Sequence, residues 1–274
     1  MMADKSILYD PTKCTACRGC QAACKNWNEN DEFIPDWENG VKASNSGSYE
    51  NPPDLSPSTW LKIEFREVET GGELRWLFTR RACMHCTDAG CVRVCPTGAL
   101  YHDDNGFVGY NKDLCSGCGY CVDSCPFQVP RSTRNILTGV AVMDKCTLCT
   151  TQSLNRIAEG YEPACVKTCP TNALIYGDRS ELLADGKMRV SALRDNGWYS
   201  ANLYGETELG GLHVMYVLPD SPTVYGLPVD PKVSGTTVAW QNVLQPAGLA
   251  LGGVTILGLG LNYLVARANT KKEK

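Results

Sequence analysis

Histidine is scarce in this chain: His85, His102 and His213 are the only three. A histidine-built metal site is therefore excluded. The apolar stretch near the C-terminus, which holds no histidine, cannot bind a haem by itself. No basic patch with interleaved aromatics occurs, and the formal net charge is −4, so nucleic-acid binding has no electrostatic support. Catalytic signatures are missing as well: there is no G-x-S-x-G, no P-loop, no G-x-G-x2-G after a strand and no H-E-x2-H. The opening residues, "MMADKSILYD", carry Asp4 and Asp10 and no apolar run, so no export signal is expected there.

Charge itself is absent from Trp240 to Ala266. As a helix, Val243 to Ala266 would extend about 36 Å at about 1.5 Å per residue, enough to cross a bilayer. A buried core helix is the alternative. Trp240 and Tyr263 near the ends suit interfacial anchoring. We expect one transmembrane helix at 243–266 and a cytoplasmic tail at 267–274. That tail carries Arg267, Lys271, Lys272 and Lys274, whereas residues 220–239 hold one cation, Lys232, and two acids, Asp220 and Asp230. The positive-inside tendency places the tail in the cytoplasm and the body on the extracytoplasmic side. A body without its own signal would have to cross with a partner that carries one.

What is abundant is cysteine: 16 residues, all between positions 14 and 169. A disulfide framework belongs to small secreted chains and staples distant loops; here the thiols come in four tight groups. The first is "CTACRGCQAAC", Cys14, Cys17, Cys20 and Cys24. The second is "CMHCTDAGCVRVCP", Cys83, Cys86, Cys91 and Cys95. The third is "CSGCGYCVDSCP", Cys115, Cys118, Cys121 and Cys125. The fourth is split into "CTLC", Cys146 and Cys149, and "ACVKTCP", Cys165 and Cys169. Three groups end in Cys-Pro; in the first, Lys25 stands where proline would.

The surroundings repeat. "ILYDPTKCTAC", "FVGYNKDLCSGC" and "GVAVMDKCTLC" each lead a short alternating stretch into C-x2-C, and "CPTGAL" matches "CPTNAL". Such repetition indicates a duplicated module. A 4Fe–4S cube needs four thiolates, and x2 gaps let one loop wrap three corners while the fourth cysteine of the run serves a second cluster. Four runs make two double-cluster units and four 4Fe–4S clusters, with no cysteine left over. Zinc is the rival metal, because the fourth group alone resembles a zinc ribbon; the first run would then lack an exchange partner. His85, inside "CMHC", is expected to pack or hydrogen-bond near a cluster.

The pairing of runs follows less directly than the ligation. The second and third are neighbours in sequence and are expected to form unit B, residues 80–138. The first and fourth would form unit A, residues 1–28 and 139–178, with B inserted in it. The expected ligand sets are Cys14, Cys17, Cys20 and Cys169; Cys24, Cys146, Cys149 and Cys165; Cys83, Cys86, Cys91 and Cys125; and Cys95, Cys115, Cys118 and Cys121. The fold class is then α+β, two bacterial-ferredoxin-like double-cluster units, one inserted in the other, plus the C-terminal transmembrane helix. Lys25 replaces proline because the chain departs there into an insertion, residues 29–79. This insertion is polar over 28–58 and carries a hairpin in "WLKIEFREVETGGELRWLFTR". Residues 179–239 read as an extension and connector. Within it "SELLADGKMRVSALRD" suggests one or two helical turns capped by Ser180 and broken at Gly186. "LHVMYVL" reads as a strand, and "DSPTVYGLPVDPKV" as an extended link. In the apolar helix Gly248 and Gly252 form a G-x3-G pair that would let another helix approach. The metal sites leave no open position for substrate, so the chain conducts electrons and is not an enzyme by itself.

The order "CTACRGCQAACKNWN", "CMHCTDAGCVRVCPTGAL", "CSGCGYCVDSCPF", "KCTLC", "EPACVKTCPTNAL" resembles the four-cluster ferredoxin-like subunit of molybdenum/tungsten oxidoreductases. "NLYGETELGGLHVMYVLPD", "YGLPVDPKV" and a single span resemble in particular the beta subunit of membrane-bound formate dehydrogenase. The cysteine motifs are shared with nitrate, dimethyl sulfoxide and polysulfide reductase subunits and with hydrogenase partners; the C-terminal motifs narrow the field. The resemblance implies a catalytic subunit holding pterin-bound molybdenum or tungsten and an integral membrane subunit, usually a cytochrome b, that reduces quinone. It also implies export of the folded complex on the catalytic subunit's twin-arginine signal. Some relatives put tryptophan in place of one cysteine of the third group; here all four are cysteine, so four cubes are expected. The short tail lacks the acidic, histidine-containing ending of some relatives.

Overall fold

The computed structural model describes residues 4–30, 49–70, 72–134, 141–150, 155–239 and 243–272. Trp240, most of the polar stretch at 28–58 (residues 31–48) and the end of the tail, 273–274, lie outside the described residues. The chain divides into two units, Met1–Val233 and Ser234–Lys274.

A four-stranded sheet organises the first unit. Its strands are β1 (Lys5–Tyr9), β8 (Leu174–Asp178), β9 (Asn202–Tyr204) and β10 (Val214–Leu218), in the order β8-β1-β10-β9. β1 runs antiparallel to β8 and parallel to β10. Alternation decides which side chains face which layer. Leu8, Met215 and Val217 pack with Leu182, Val190 and Leu193 of helix α5 (Arg179–Asp195). Ile7, Tyr9, Val214, Tyr216 and Leu218 point the other way, into a core that includes Cys20, Cys24, Cys83, Cys146 and Cys165. The sheet is thus a wall with a helix behind it and thiols in front.

Helix α5 is continuous through Gly186, where a break is expected from sequence. The glycine has a packing role: a Cβ there would stand 2.7 Å from Leu203 Cδ1 and 3.4 Å from Leu8 Cδ1. Ser180 lies inside the helix, and Asp178 precedes its first turn. The strand expected from "LHVMYVL" forms as β10 and lies between β1 and β9. Residues 222–228 are not a loose link. Tyr225 is buried, Thr79 Oγ1 donates to Tyr225 O at 3.2 Å, and Tyr204 Oη donates to Pro228 O at 2.8 Å.

The expected hairpin forms from β2 (Lys62–Thr70) and β3 (Glu73–Arg81). Two tyrosines fix it to the sheet: Tyr9 Oη donates to Phe78 O at 2.9 Å and Tyr216 Oη to Arg80 O at 2.6 Å. Short helices follow the cysteine loops: α1 (Gly19–Trp27), α2 (Gly90–Arg93), α3 (Tyr120–Asp123) and α4 (Ala164–Lys167). Helix α1 packs on α4, and α2 on α3. Two small hairpins, β4 (Leu100–His102) with β5 (Val108–Tyr110) and β6 (Arg131–Arg134) with β7 (Ala141–Asp144), frame the second and third groups.

In the second unit a short helix α6 (Gly235–Ala239) precedes a long helix α7 (Gln245–Lys272). From Gln245 to Arg267, 23 residues with a mean hydropathy of 1.8, α7 is long and apolar enough to cross a membrane. Leu249, Leu251, Ile256, Leu257 and Leu261 are exposed on it.

Candidate metal centres

None of the sixteen cysteines forms a disulfide. One local device presents them. The residue two places after the first cysteine of each group is left-handed: Ala16 (φ 52), His85 (φ 48), Gly117 (φ 67) and Leu148 (φ 55). That turn aims the amide back at sulfur. Ala16 N–H donates to Cys14 Sγ, Gly117 N–H to Cys115 Sγ and Leu148 N–H to Cys146 Sγ, each at 3.4 Å. Amides that point at a sulfur favour its anionic form.

The Cys-Pro exits are a second device. Gly98 N–H donates to Cys95 O, Gln128 N–H to Cys125 O and Asn172 N–H to Cys169 O, and all three donors have positive φ. Proline occupies the second position of these turns, where its fixed φ is favourable. At Cys95, burial raises the thiol's pKa, but hydrogen bonds from the Leu100, Thr97 and Ala99 region outweigh it and leave the thiol below its ordinary value. The first group has no such turn because Cys24 lies inside α1, which runs on to Trp27. Asn28 then closes the helix: its Nδ2 donates to Cys24 O at 2.7 Å and lies 3.6 Å from Cys24 Sγ.

The thiols converge across groups. Burial holds Cys24 well above its ordinary pKa, and the charges that add to this are those of Cys146, Cys165 and Cys149. Cys86 is likewise raised by burial, then by Cys83, Cys125 and Cys91. Cys121 is pushed up to about 12 by burial, then by Cys118 and Cys115, with a smaller part from Cys95. Cys20 reaches about 12 through burial and then Cys165, Cys14 and Cys17, against the pull of Arg80. Cys169 stands at the end of α4, where Thr168 Cγ2 would lie 2.9 Å from a Cβ on Gly19 of α1 and Cys17 Sγ 3.6 Å from it. Exposure differs among the thiols: Cys17 and Cys118 are exposed, whereas Cys24, Cys146, Cys149 and Cys165 are all buried.

Burial and mutual repulsion keep these thiols protonated unless a cation joins them, and iron–sulfur centres are held by such sets of four cysteines. Among the described residues no three His, Cys, Asp or Glu side chains converge on a single-ion site; a zinc ribbon gathers its thiols on one ion, whereas a cube spreads them over its corners. His85 is fully buried, and its Nδ1 accepts from Val108 N–H at 3.0 Å. Burial, then the Lys145 charge, holds it well below its ordinary pKa, so the ring is neutral.

Three buried cations escape a sequence reading, which assigns charged residues to the surface: Lys62, Arg80 and Lys145. Lys62 pairs with Glu50 at 2.6 Å. Lys145 Nζ donates to Val108 O at 2.6 Å and Cys146 O at 3.0 Å. The side chains that meet the guanidinium of Arg80 are Cys165 and Tyr216, and among the described residues no carboxylate or carbonyl is hydrogen-bonded to it.

Repeated thiol-presenting loops on a mixed helix and strand scaffold define an iron–sulfur electron-transfer protein of the dicluster type. Two family models, both described as 4Fe-4S dicluster domain, match residues 74–179 and 13–99. The chain is 39% identical to the formate dehydrogenase iron-sulfur subunit of Haemophilus influenzae, over 97% of this chain and 82% of the relative. It is also 39% identical to the iron-sulfur subunit of the nitrate-inducible formate dehydrogenase of Escherichia coli, over 96% and 85%. A more distant relative is the Hydrogenase-2 operon protein HybA of Escherichia coli, 31% identical over 97% and 85%. The chain belongs to the family of formate dehydrogenase iron–sulfur subunits.

Proposed function

We propose that the chain holds four 4Fe–4S clusters and carries electrons from a formate-oxidising subunit to an acceptor in the membrane. Cys14, Cys17, Cys20 and Cys169 hold one; Cys24, Cys146, Cys149 and Cys165 the second; Cys83, Cys86, Cys91 and Cys125 the third; Cys95, Cys115, Cys118 and Cys121 the fourth. Bound in this way, each cube exchanges one electron at a time, at a potential set by nearby charge, hydrogen bonds and solvent. The observation that carries this reading is the company of Cys24: the last thiol of the first run sits among Cys146, Cys149 and Cys165 of the fourth. Cys125 stands in the same relation to Cys83, Cys86 and Cys91. Exchange of the last cysteine between runs is the mark of a double-cluster unit.

These partnerships support an inserted arrangement, with unit B (80–138) between the two parts of unit A (1–28 and 139–178), residues 29–79 as insertion and 179–239 as extension. The packing of α1 on α4 and of α2 on α3 agrees with it. The exposed thiols Cys17 and Cys118 belong to different units, so each unit offers one set close to the surface, where electrons can enter or leave. The residues around these sets hold them, exclude water and supply amides to sulfur; none of them performs chemistry on a substrate.

The relatives' names extend the reading to a catalytic partner that oxidises formate, and the sequence resemblance implies that this partner carries molybdenum or tungsten on a pterin. Residues 243–266 then span the membrane, residues 267–274 lie in the cytoplasm, and the body lies on the periplasmic side. An integral membrane subunit, a cytochrome b, receives the electrons. A second reading, the same relay in a hydrogenase or in a reductase of the dimethyl sulfoxide or polysulfide type, has support from the HybA relative.

Anaerobic purification of the complex tests both. Four cubes predict about sixteen iron per chain and broad visible absorbance that formate bleaches. Bleaching by hydrogen but not by formate would select the second reading, and an iron-free chain would defeat both.

A further inference from the structure

Arg80 lies near the end of β3 and is 1% exposed. Its main-chain carbonyl accepts from Tyr216 Oη at 2.6 Å. Burying a cation is costly unless an anion faces it. Glu64, on the paired strand, is bonded to Arg66 at 3.1 Å and Arg81 at 2.9 Å. With Cys165 and Tyr216 against it and, among the described residues, no carboxylate or carbonyl hydrogen-bonded to it, Arg80 differs from Lys62, which has a carboxylate, and from Lys145, which has two carbonyls. The groups whose negative charge acts on the guanidinium are Cys165, Tyr216, Cys146 and Cys20. The same guanidinium acts on Cys24 and on Cys83. Arginine stays protonated under all conditions at which a protein is folded, so this charge is permanent.

Given the cluster assignment proposed above, we infer that Arg80 sets the reduction potential of the cluster held by Cys24, Cys146, Cys149 and Cys165. A cube on four thiolates is a net anion. Uptake of one electron, supplied by the formate-oxidising partner, adds a negative charge beside the guanidinium; no bond forms or breaks and no proton moves. A fixed, desolvated cation favours the more negative state and raises the potential. The effect is expected to be greater at this set, because Cys165 is hydrogen-bonded to Arg80 and Cys146 also acts on it, than at the set of Cys14, Cys17, Cys20 and Cys169, of which Cys20 alone does.

The test is a potentiometric titration of the intact complex, followed by electron paramagnetic resonance, in wild type, Arg80→Lys and Arg80→Gln, with iron counted in each. In Arg80→Gln one signal is expected to shift to lower potential by about 59 mV, a tenfold change for a one-electron couple, while Arg80→Lys stays near wild type. If Arg80→Gln loses iron and Arg80→Lys keeps it, the charge is still the requirement. Unchanged potentials in Arg80→Gln at full iron content would overturn the inference. Loss of iron in both variants would overturn it too, because shape and not charge would then be what the site needs. Wild-type complex without iron would instead refute the cluster assignment itself.

Discussion

Ala16, His85, Gly117 and Leu148 occupy one place in four loops, and all four are left-handed. Only one of them is glycine, the residue that adopts this conformation without steric cost. At Ala16 the strain of an L residue should therefore be removable: Ala16→Gly is expected to stabilise by up to about 1 kcal/mol. Gly117→Ala should do the reverse, by about 1–2 kcal/mol, and a Cβ there would also meet Ala141 Cβ at 2.7 Å. The midpoint of thermal bleaching in the anaerobic complex reads both; shifts of the same sign would contradict the conformational account. The cysteines themselves were legible from spacing alone. The handedness of the loops was not, because alanine, histidine and leucine carry no signature of it. Nor was the burial of Arg80, since a cation before an apolar segment reads as surface until the strand register turns it inward.

At the scale of elements, the first cysteine run differs from the others because a helix takes the place of a turn. Cys24 is followed by three more residues of α1. Lys25→Pro, which would restore a Cys-Pro pair, should therefore do harm: proline in a helix interior costs about 3 kcal/mol. Iron per chain in the purified complex is expected to fall, and a variant with full iron and unchanged thermal midpoint would show that α1 is dispensable. Gly186 teaches the opposite lesson about glycine. It read as a break because glycine weakens helices, yet α5 passes through it and uses the missing Cβ to seat Leu203. Gly186→Val is expected to cost about 1–3 kcal/mol through overpacking, whereas in Gly186→Ala a helix-propensity gain of about 1 kcal/mol offsets much of the contact. Equal thermal midpoints for the two variants would count against this packing. The β2–β3 hairpin and β10 were legible because alternation was regular and turn residues bracketed the hairpin; the packing of residues 222–228 was not, because proline-rich composition does not disclose what it packs against.

For the whole molecule, the division at Val233 and Ser234 separates a body whose apolar residues are largely internal from a helix whose apolar residues from Leu249 to Val265 are exposed. The apolar part of α7 was legible from the missing charges, but its continuation through Arg267 to Lys272, in residues read as a tail, was not. Leu257→Lys near its middle would cost about 2.5–3.5 kcal/mol in a bilayer, so the share of chain retained in washed membranes is expected to drop; unchanged retention would remove α7 as the anchor. Least legible was the central sheet, which sets β1 between β8 and β10 and so joins Ile7–Tyr9 to Val214–Tyr216. No periodicity in one segment can announce a neighbour so far along the chain. The same arrangement governs biosynthesis. While the ribosome is still short of Val214, β1 has no parallel companion and the wall in front of which the thiols gather is incomplete. Completion of this wall is therefore a late event in synthesis.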